Sequence, residues 1–186
     1  MDPESTTPHT VPIIDLSQLE DYWYTPQVPI YLQGSTDVGL NCHCELLLKI
    51  PVIKEPVPTV ALEGRWFIDY DIKNLQTGPV FVESGPQFQS SFSRTLRQRG
   101  PITFALNPTS PPLSPGTHSV EFLVAEKDGF VPDITVPPHH RALFGGDNGW
   151  DATVLKLVID VRQSPAPSCL ENVGVITPLT QRICVQ

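Results

Sequence analysis

The chain has 186 residues, of which 40% are hydrophobic and 17% are charged, and its formal net charge is −8. This apolar content suits a chain that folds around a core and excludes wholesale disorder. The 12 Lys and Arg residues do not cluster, so a nucleic-acid-binding surface is not expected. The 21 scattered prolines disfavour long helices and favour short strands joined by loops.

The hydropathy of the chain and its first residues bear on its cellular location. No stretch reaches the roughly 18 apolar residues of a membrane-spanning helix, so no membrane span is predicted. The polar segment 1–15 is not a signal peptide. We interpret 1–12, with its three prolines, as the flexible start of a mature secreted protein or lipoprotein whose signal sequence Met1 replaces. The expected location is extracytoplasmic: secreted, periplasmic, or held at the outer membrane by a lipid anchor of a longer precursor.

The first half of the chain after residue 12 predicts one helical turn and then short strands. Ser17 and Glu20 form a capping-box pair, which favours a helical turn. Strands are predicted at Gln27–Gln33, Cys42–Ile50, Val60–Ile72, Gly78–Val82, Gln87–Leu96 and Ile102–Leu106. The two prolines in Lys54–Pro58 indicate a connector or an edge.

The second half predicts two longer strands on either side of a long connection. A turn at Leu113–His118 leads into the strand Ser119–Ala125. Residues 127–149 form the connection, and Ala152–Arg162 is the last strand. In that strand one face is apolar, with Leu155, Leu157, Ile159 and Val161. The tail Asn172–Val185 is predicted to form a short hairpin.

Seven to nine short strands with frequent turn signals predict an all-β fold, an immunoglobulin-like antiparallel β-sandwich. The predicted organisation is a flexible segment 1–12, a sandwich domain 13–163 that contains the long loop, and a tail 164–186 packed on the domain. The tail is expected to be stapled by disulfides.

One stretch resembles a known class of domain. Leu113–Ala125, followed by the turn Asp128-Gly129, is similar to the penultimate strands of bacterial extracellular immunoglobulin-like and PKD-like domains. In those domains a Pro-Gly-x-His turn leads into an alternating strand, and Trp150–Arg162 stands where they have their last strand. The resemblance covers roughly 50 residues and implies the sandwich fold, but no particular function.

Four cysteines allow three disulfide pairings. Cys42 and Cys44 would share one face of a strand, and we favour bridges from them to Cys169 and Cys184 in the tail. A Cys169–Cys184 bridge within the tail is the alternative. Zinc or copper binding by Cys42-His43-Cys44 is a further hypothesis, although paired zinc ligands usually have two to four residues between them.

Three other groups of residues are candidate sites. The long connection carries Asp128, Asp133, His139, His140, Arg141, Asp147 and Asp151. It could bind a ligand, or it could be a surface loop anchored by Phe130, Phe144 and Trp150. Tyr22-Trp23-Tyr24 could stack on a sugar or pack in the core. Asp69 and Asp71, two apart on a predicted strand, could act as a carboxylate pair or be solvated.

No nucleophile, phosphate-loop or metalloprotease motif is present, so neither catalytic residues nor a cofactor is predicted. The leading hypothesis is a non-catalytic extracytoplasmic module that is structural or binds a protein, such as the soluble part of a bacterial lipoprotein. The first alternative is a module that binds carbohydrate or a small ligand. The second is a metal-binding protein that uses Cys42-His43-Cys44. The partner is expected to be a protein or a glycan.

Overall fold

The computed structural model describes residues 9–24, 26–32, 46–57, 59–83, 85, 88–89, 98–106, 113–135, 137–144 and 150–163. These residues are mostly β, which agrees with the predicted all-β class. Their strands are β1 (Ile13–Ile14), β2 (Val28–Leu32), β3 (Leu46–Ile50), β4 (Ile53–Lys54), β5 (Leu62–Ile68), β6 (Phe81–Glu83), β7 (Gln98–Arg99), β8 (Ile102–Leu106), β9 (Gly116–Glu126) and β10 (Ala152–Gln163). Short 3-10 turns occur at Leu16–Gln18, Asp21–Tyr24, Lys127–Gly129 and His139–Arg141.

The contacts divide the chain into two compact units. Unit 1 comprises Met1–Asp15, Val52–Gly100 and Glu121–Leu155. Unit 2 comprises Leu16–Pro51, Pro101–Val120 and Lys156–Gln186. Strands β9 and β10 therefore contribute residues to both units.

Unit 1 contains two sets of hydrogen-bonded strands. In the first, β4 lies between β1 and β7, and both pairs are antiparallel. Ile13 faces Lys54, which in turn faces Gln98. In the second set β5 lies between β9 and β6, and β6 pairs with β5 in antiparallel register. The prediction of a connector or edge at 54–58 misses this central position of β4.

The core of unit 1 occupies both faces of β5 and β9, because successive strand residues point to opposite sides. On one face Trp66 packs on Phe122, with ring centroids 4.7 Å apart. A side chain at Gly64 would collide with Phe122, since its Cβ would lie 2.7 Å from the ring. On the other face a buried cluster joins Phe67, Leu123, Ala125 and Phe130.

Unit 2 combines an antiparallel and a parallel pair. Strands β3 and β8 are antiparallel over five residue pairs, whereas β2 and β10 are parallel. The parallel pair departs from a purely antiparallel sandwich. The buried side chains include Tyr22, Trp23, Leu48, Ile50, Ile102, Leu106, Val120, Leu157, Ile159 and Val161.

Several predicted elements are confirmed. The strand Ile102–Leu106 is found with the predicted bounds, and Ala152–Arg162 is one residue short of β10. Gln27–Gln33 brackets β2, and helical turns occur near Ser17 and Glu20. The predicted strand Val60–Ile72 ends early, at Ile68, because Asp69 adopts a positive φ of 48°.

Other predictions fall outside the described residues. Cys42, Cys44, Cys169 and Cys184 are among these, as is the whole tail 164–186. Most of the predicted strand Gln87–Leu96 is outside as well, although its residues 88 and 89 are described and are not in a strand. The disulfide staple and the immunoglobulin-like topology therefore stay predictions.

Candidate functional site

Residues 9–15, here called the arm, form an extended segment along unit 1. Their burial alternates, with Pro12 and Ile14 buried and Val11 and Ile13 exposed. β1 adds the arm to the edge of β4, and the Lys54 ammonium pairs with the Asp15 carboxylate at 2.8 Å. The Thr153 hydroxyl donates a hydrogen bond to the Pro12 carbonyl. The arm is thus held by main-chain pairing and by polar contacts.

The deepest contacts of the arm are to two buried carboxylates, Glu55 and Glu126, which are 1% and 4% exposed. The Thr10 amide donates to Glu126 Oε1 at 2.8 Å. The Thr10 hydroxyl lies within hydrogen-bonding distance of Oε1 of both glutamates. Since buried carboxylates require donors, the Thr10 amide and hydroxyl help to stabilise both glutamates.

Further donors surround the same two glutamates. The Val57 amide donates to Glu55 Oε1 at 3.0 Å, whereas Glu55 Oε2 is buried without a hydrogen-bond partner among the described residues. Arg99 is buried near Glu55 and donates to the carbonyls of Gln89 and Val60. Burial lowers the pKa of the Arg99 guanidinium, and the charge of Glu55 opposes that shift. This cluster is an internal polar network rather than an open site.

His9 completes the contacts of the arm. Its Nδ1 donates to Glu126 Oε2 at 3.2 Å, and its ring stacks on Trp150 with centroids 3.5 Å apart. Trp150 in turn covers Gly129, where a Cβ atom would lie 2.5 Å from the indole. We call β4, Glu55, Glu126 and Trp150 together the arm-binding groove.

The described part of the long connection predicted at 127–149 folds back on itself over the other face of β5 and β9. We call its described part, residues 127–135 and 137–144, the covering loop. Phe130 and Leu143 form an antiparallel bridge, and the Phe144 amide donates to the Gly129 carbonyl at 2.9 Å. The Pro137–Pro138 peptide bond is cis. Phe130 is buried as predicted, but Phe144 is 44% exposed, so the prediction that it anchors the loop is wrong.

Two arginines hold the covering loop in place. Arg65 pairs with Glu63 at 2.7 Å, lies 3.7 Å above the Phe130 ring, and donates to the His140 carbonyl. Such stacking of a guanidinium on an aromatic ring adds to its hydrogen bonds. Because Arg65 contacts both β5 and the loop, it fixes the loop on the sheet.

Arg141 makes the second attachment. It pairs with Glu121 at 2.6 Å, and its guanidinium lies 4.8 Å from the centre of the Tyr70 ring. The Tyr70 hydroxyl donates to the Pro138 carbonyl. Burial raises the pKa of Tyr70; the Arg141 charge opposes this shift, while Glu121 and Asp71 add to it.

Several of the predicted ligand residues of the loop serve internal contacts, whereas Asp147 lies outside the described residues. His139 is buried, and its Nδ1 donates to the Ile134 carbonyl at 2.8 Å. The His140 ring packs against Gly78. Asp133 accepts hydrogen bonds from the hydroxyl and amide of Thr135, which lower the pKa of Asp133.

The aromatic run 22–24 is mainly part of the core of unit 2. Tyr22 and Trp23 are 3% and 9% exposed, whereas Tyr24 is 62% exposed. The Lys49 amide donates to the Tyr22 hydroxyl, and the Trp23 indole donates to the Lys49 carbonyl. Burial raises the pKa of Tyr22 to about 12. This packing favours the core interpretation over a sugar-stacking platform.

The proposed carboxylate pair is not formed on a strand. Asp69 and Asp71 both follow the end of β5 at Ile68. Asp71 accepts a hydrogen bond from the Lys73 amide at 2.9 Å and so stabilises the turn. The prediction that the two aspartates share a strand face is therefore wrong.

Among the described residues of unit 1, a run of three consecutive exposed apolar side chains lies at β6. Val80, Phe81 and Val82 are 37%, 43% and 39% exposed. Successive strand residues point to opposite faces, so Phe81 and Val82 are exposed on different faces of β6. By contrast, the cavity lined by Ile13, Lys54, Glu55, Pro56 and Gln98 is about 230 Å³, smaller than typical ligand pockets of roughly 300–1,000 Å³.

The arm contacts were missed by the sequence prediction. Thr10 lies in the segment that the sequence assigns to the flexible start, and Glu55 lies in the predicted connector. For Glu126 the sequence gives only a weak indication of burial, because this residue directly follows the predicted strand Ser119–Ala125. Nothing in the sequence pattern pairs these three residues.

Comparison of the chain with protein-family models, curated proteins and solved structures found no match. The resemblance of residues 113–129 to immunoglobulin-like and PKD-like domains therefore stays a prediction. Among the described residues no helix is long and apolar enough to cross a membrane. The same part of the chain contains no group of three or more His, Cys, Asp or Glu side chains that could hold a metal ion.

Proposed function

We propose that the chain is a non-catalytic, extracytoplasmic protein-interaction module with an immunoglobulin-like fold, and that β6 is part of its partner-binding surface. The exposed run Val80–Phe81–Val82 carries this proposal. Consecutive exposed apolar side chains are costly in water, and such patches commonly mark interaction surfaces.

The internal use of the charged groups supports a passive role. Arg65 and Arg141 hold the covering loop, while Glu55 and Glu126 hold the arm. Side chains that are fixed in this way stiffen the surface that unit 1 presents. The two disulfides that we propose for the four cysteines would persist in an oxidising compartment, as the proposed location requires.

Photocrosslinking in cells of the source organism tests the β6 surface. A photoreactive amino acid is placed at Val82, and the matched control is Val154, which is also a strand valine of unit 1 and is 40% exposed. We expect a discrete protein adduct from position 82 and none from position 154. Equal adduct patterns at both positions, or no adduct at position 82, would overturn the proposed surface.

Cell fractionation tests the proposed location separately. The tagged protein, expressed from its own gene in the source organism, is expected in the secreted or envelope fraction. Labelling of intact cells with a membrane-impermeant amine reagent checks whether the protein lies outside the cytoplasmic membrane. Recovery in the cytoplasmic fraction alone would contradict an extracytoplasmic role.

A further inference from the structure

The arm resembles a bound peptide, because all its partners are far from it in sequence. Its polar contacts reach Glu55, Glu126 and Thr153, which are 45, 116 and 141 residues away in sequence from their arm partners. Its strand pairing is to β4, about 40 residues along the chain. Addition of an extended segment to a strand edge is a general mode of peptide recognition.

The groove contacts the arm at three positions, and each position requires a particular kind of side chain. A residue with a hydroxyl and a free amide is needed at position 10, where Thr10 donates to the glutamates. Buried apolar residues follow at positions 12 and 14, namely Pro12 and Ile14. The pattern Thr-x-Pro-x-Ile therefore fits the groove, while Val11 and Ile13 face outward.

An occupant that lacks the donors of Thr10 would bind unfavourably. It would cover the two carboxylates without supplying the amide donor at 2.8 Å or the hydroxyl between them. Burial of a charged group without donors costs more than a normal hydrogen bond contributes. The groove consequently selects an occupant that offers the same donors at position 10.

We infer that the arm-binding groove also accepts residues 9–15 of a second copy of this chain, so that two copies can exchange arms. The second copy is the occupant because its arm carries the segment that already fits the groove. Exchange keeps the contacts between arm and groove while the arm comes from the other copy, and exchange of an identical element is a low-cost route to a dimer. This inference concerns a different surface from β6 and does not rest on the proposed function.

The test uses the full-length chain and a labelled synthetic peptide of residues 9–15, HTVPIID. Fluorescence anisotropy measures binding to the wild-type chain and to a Thr10→Val chain, whose own arm docks less well. We expect the peptide to bind the Thr10→Val chain at least about tenfold more tightly than the wild-type chain. The reason is that the chain's own arm, which competes with the peptide for the groove, is bound more weakly in the variant. A peptide with Thr10→Val should bind about tenfold less tightly, and a peptide with the outward-facing Val11→Ser should bind as the wild-type peptide does.

A second measurement keeps the inference falsifiable if the Thr10→Val chain folds poorly. Two wild-type copies with different tags are mixed at high concentration, and co-purification reports arm exchange. Excess wild-type peptide should abolish most of the mixed species, while the Thr10→Val peptide should not. The inference is overturned if the peptides do not differ in binding, or if the mixed species survives the wild-type peptide. Photocrosslinking at Val82 is a separate experiment. A negative result for arm exchange therefore does not affect the proposed β6 surface.

Discussion

Two buried glutamates of β9 are satisfied in different ways. Glu121 is 7% exposed and pairs with the Arg141 guanidinium of the covering loop. Glu126 is 4% exposed and accepts from Thr10 and His9 of the arm. One carboxylate therefore has a full positive charge beside it, whereas the other depends on an amide, a hydroxyl and an imidazole.

The difference shows how unit 1 attaches its two covering segments. Since 121 and 126 differ by an odd number, their side chains leave β9 on opposite faces. The covering loop closes one face with an Arg–Glu pair, and the arm reaches the other glutamate with an amide, a hydroxyl and an imidazole. A charged pair is costly to break from one side, whereas the arm can be replaced by another segment that offers the same donors.

Replacement of Arg141 by Met should have the largest effect. The buried Glu121 would lose the facing guanidinium, and removal of one partner of a buried pair costs about 3 kcal/mol of unfolding free energy. Urea denaturation followed by circular dichroism measures the change. The double variant Glu121→Gln/Arg141→Met should recover a substantial part of the loss, and an equal loss in both variants would show that the charge pairing is not the cause.

Replacement of Thr10 by Val should have a smaller effect, about 2 kcal/mol. Valine has a similar volume but lacks the hydroxyl that faces Glu55 and Glu126. The Thr10→Ser variant keeps the hydroxyl and serves as the control in the same urea titration. If the Val and Ser variants are equally stable, the hydroxyl does not contribute to docking of the arm.

The smallest effect concerns Tyr70 and alkaline pH. Burial raises the pKa of Tyr70 above its value in the unfolded chain, so its contribution to stability is complete below about pH 10 and is lost as the pH rises further. The Tyr70→Phe variant should therefore lose less stability between pH 9 and about pH 11 than the wild type. Tyr22 titrates in both proteins, so the difference between their pH profiles isolates Tyr70.

Alternation in the sequence predicted much of the fold. The strand Ile102–Leu106 and the apolar face of Ala152–Arg162 agree with the structure, because one face of each is apolar and the other is polar or exposed. Alternation failed for residues 121–126. These six residues are all buried, since the covering loop and the rest of unit 1 occupy both faces of the strand.

The candidate site was harder to predict, because its pairs are separated by up to 141 residues. Thr10 and Glu126 each have ordinary polar neighbours in sequence, and only the fold brings them together. The exposure of β6 could not be predicted from the sequence either, because Val80–Phe81–Val82 has the composition of a buried strand. Long-range pairing and coverage by a neighbouring segment are properties of the tertiary structure, and local patterns do not encode them.

The most direct test of the comparison is hydrogen–deuterium exchange, measured by mass spectrometry on Glu126→Gln and Glu121→Gln variants. If the two glutamates hold separate segments, Glu126→Gln should raise exchange in the arm 9–15 and leave residues 137–144 of the covering loop as in the wild type. Glu121→Gln should raise exchange in 137–144 and leave the arm unchanged. An even rise in both segments, or no rise in either, would contradict the assignment of one buried glutamate to each covering segment.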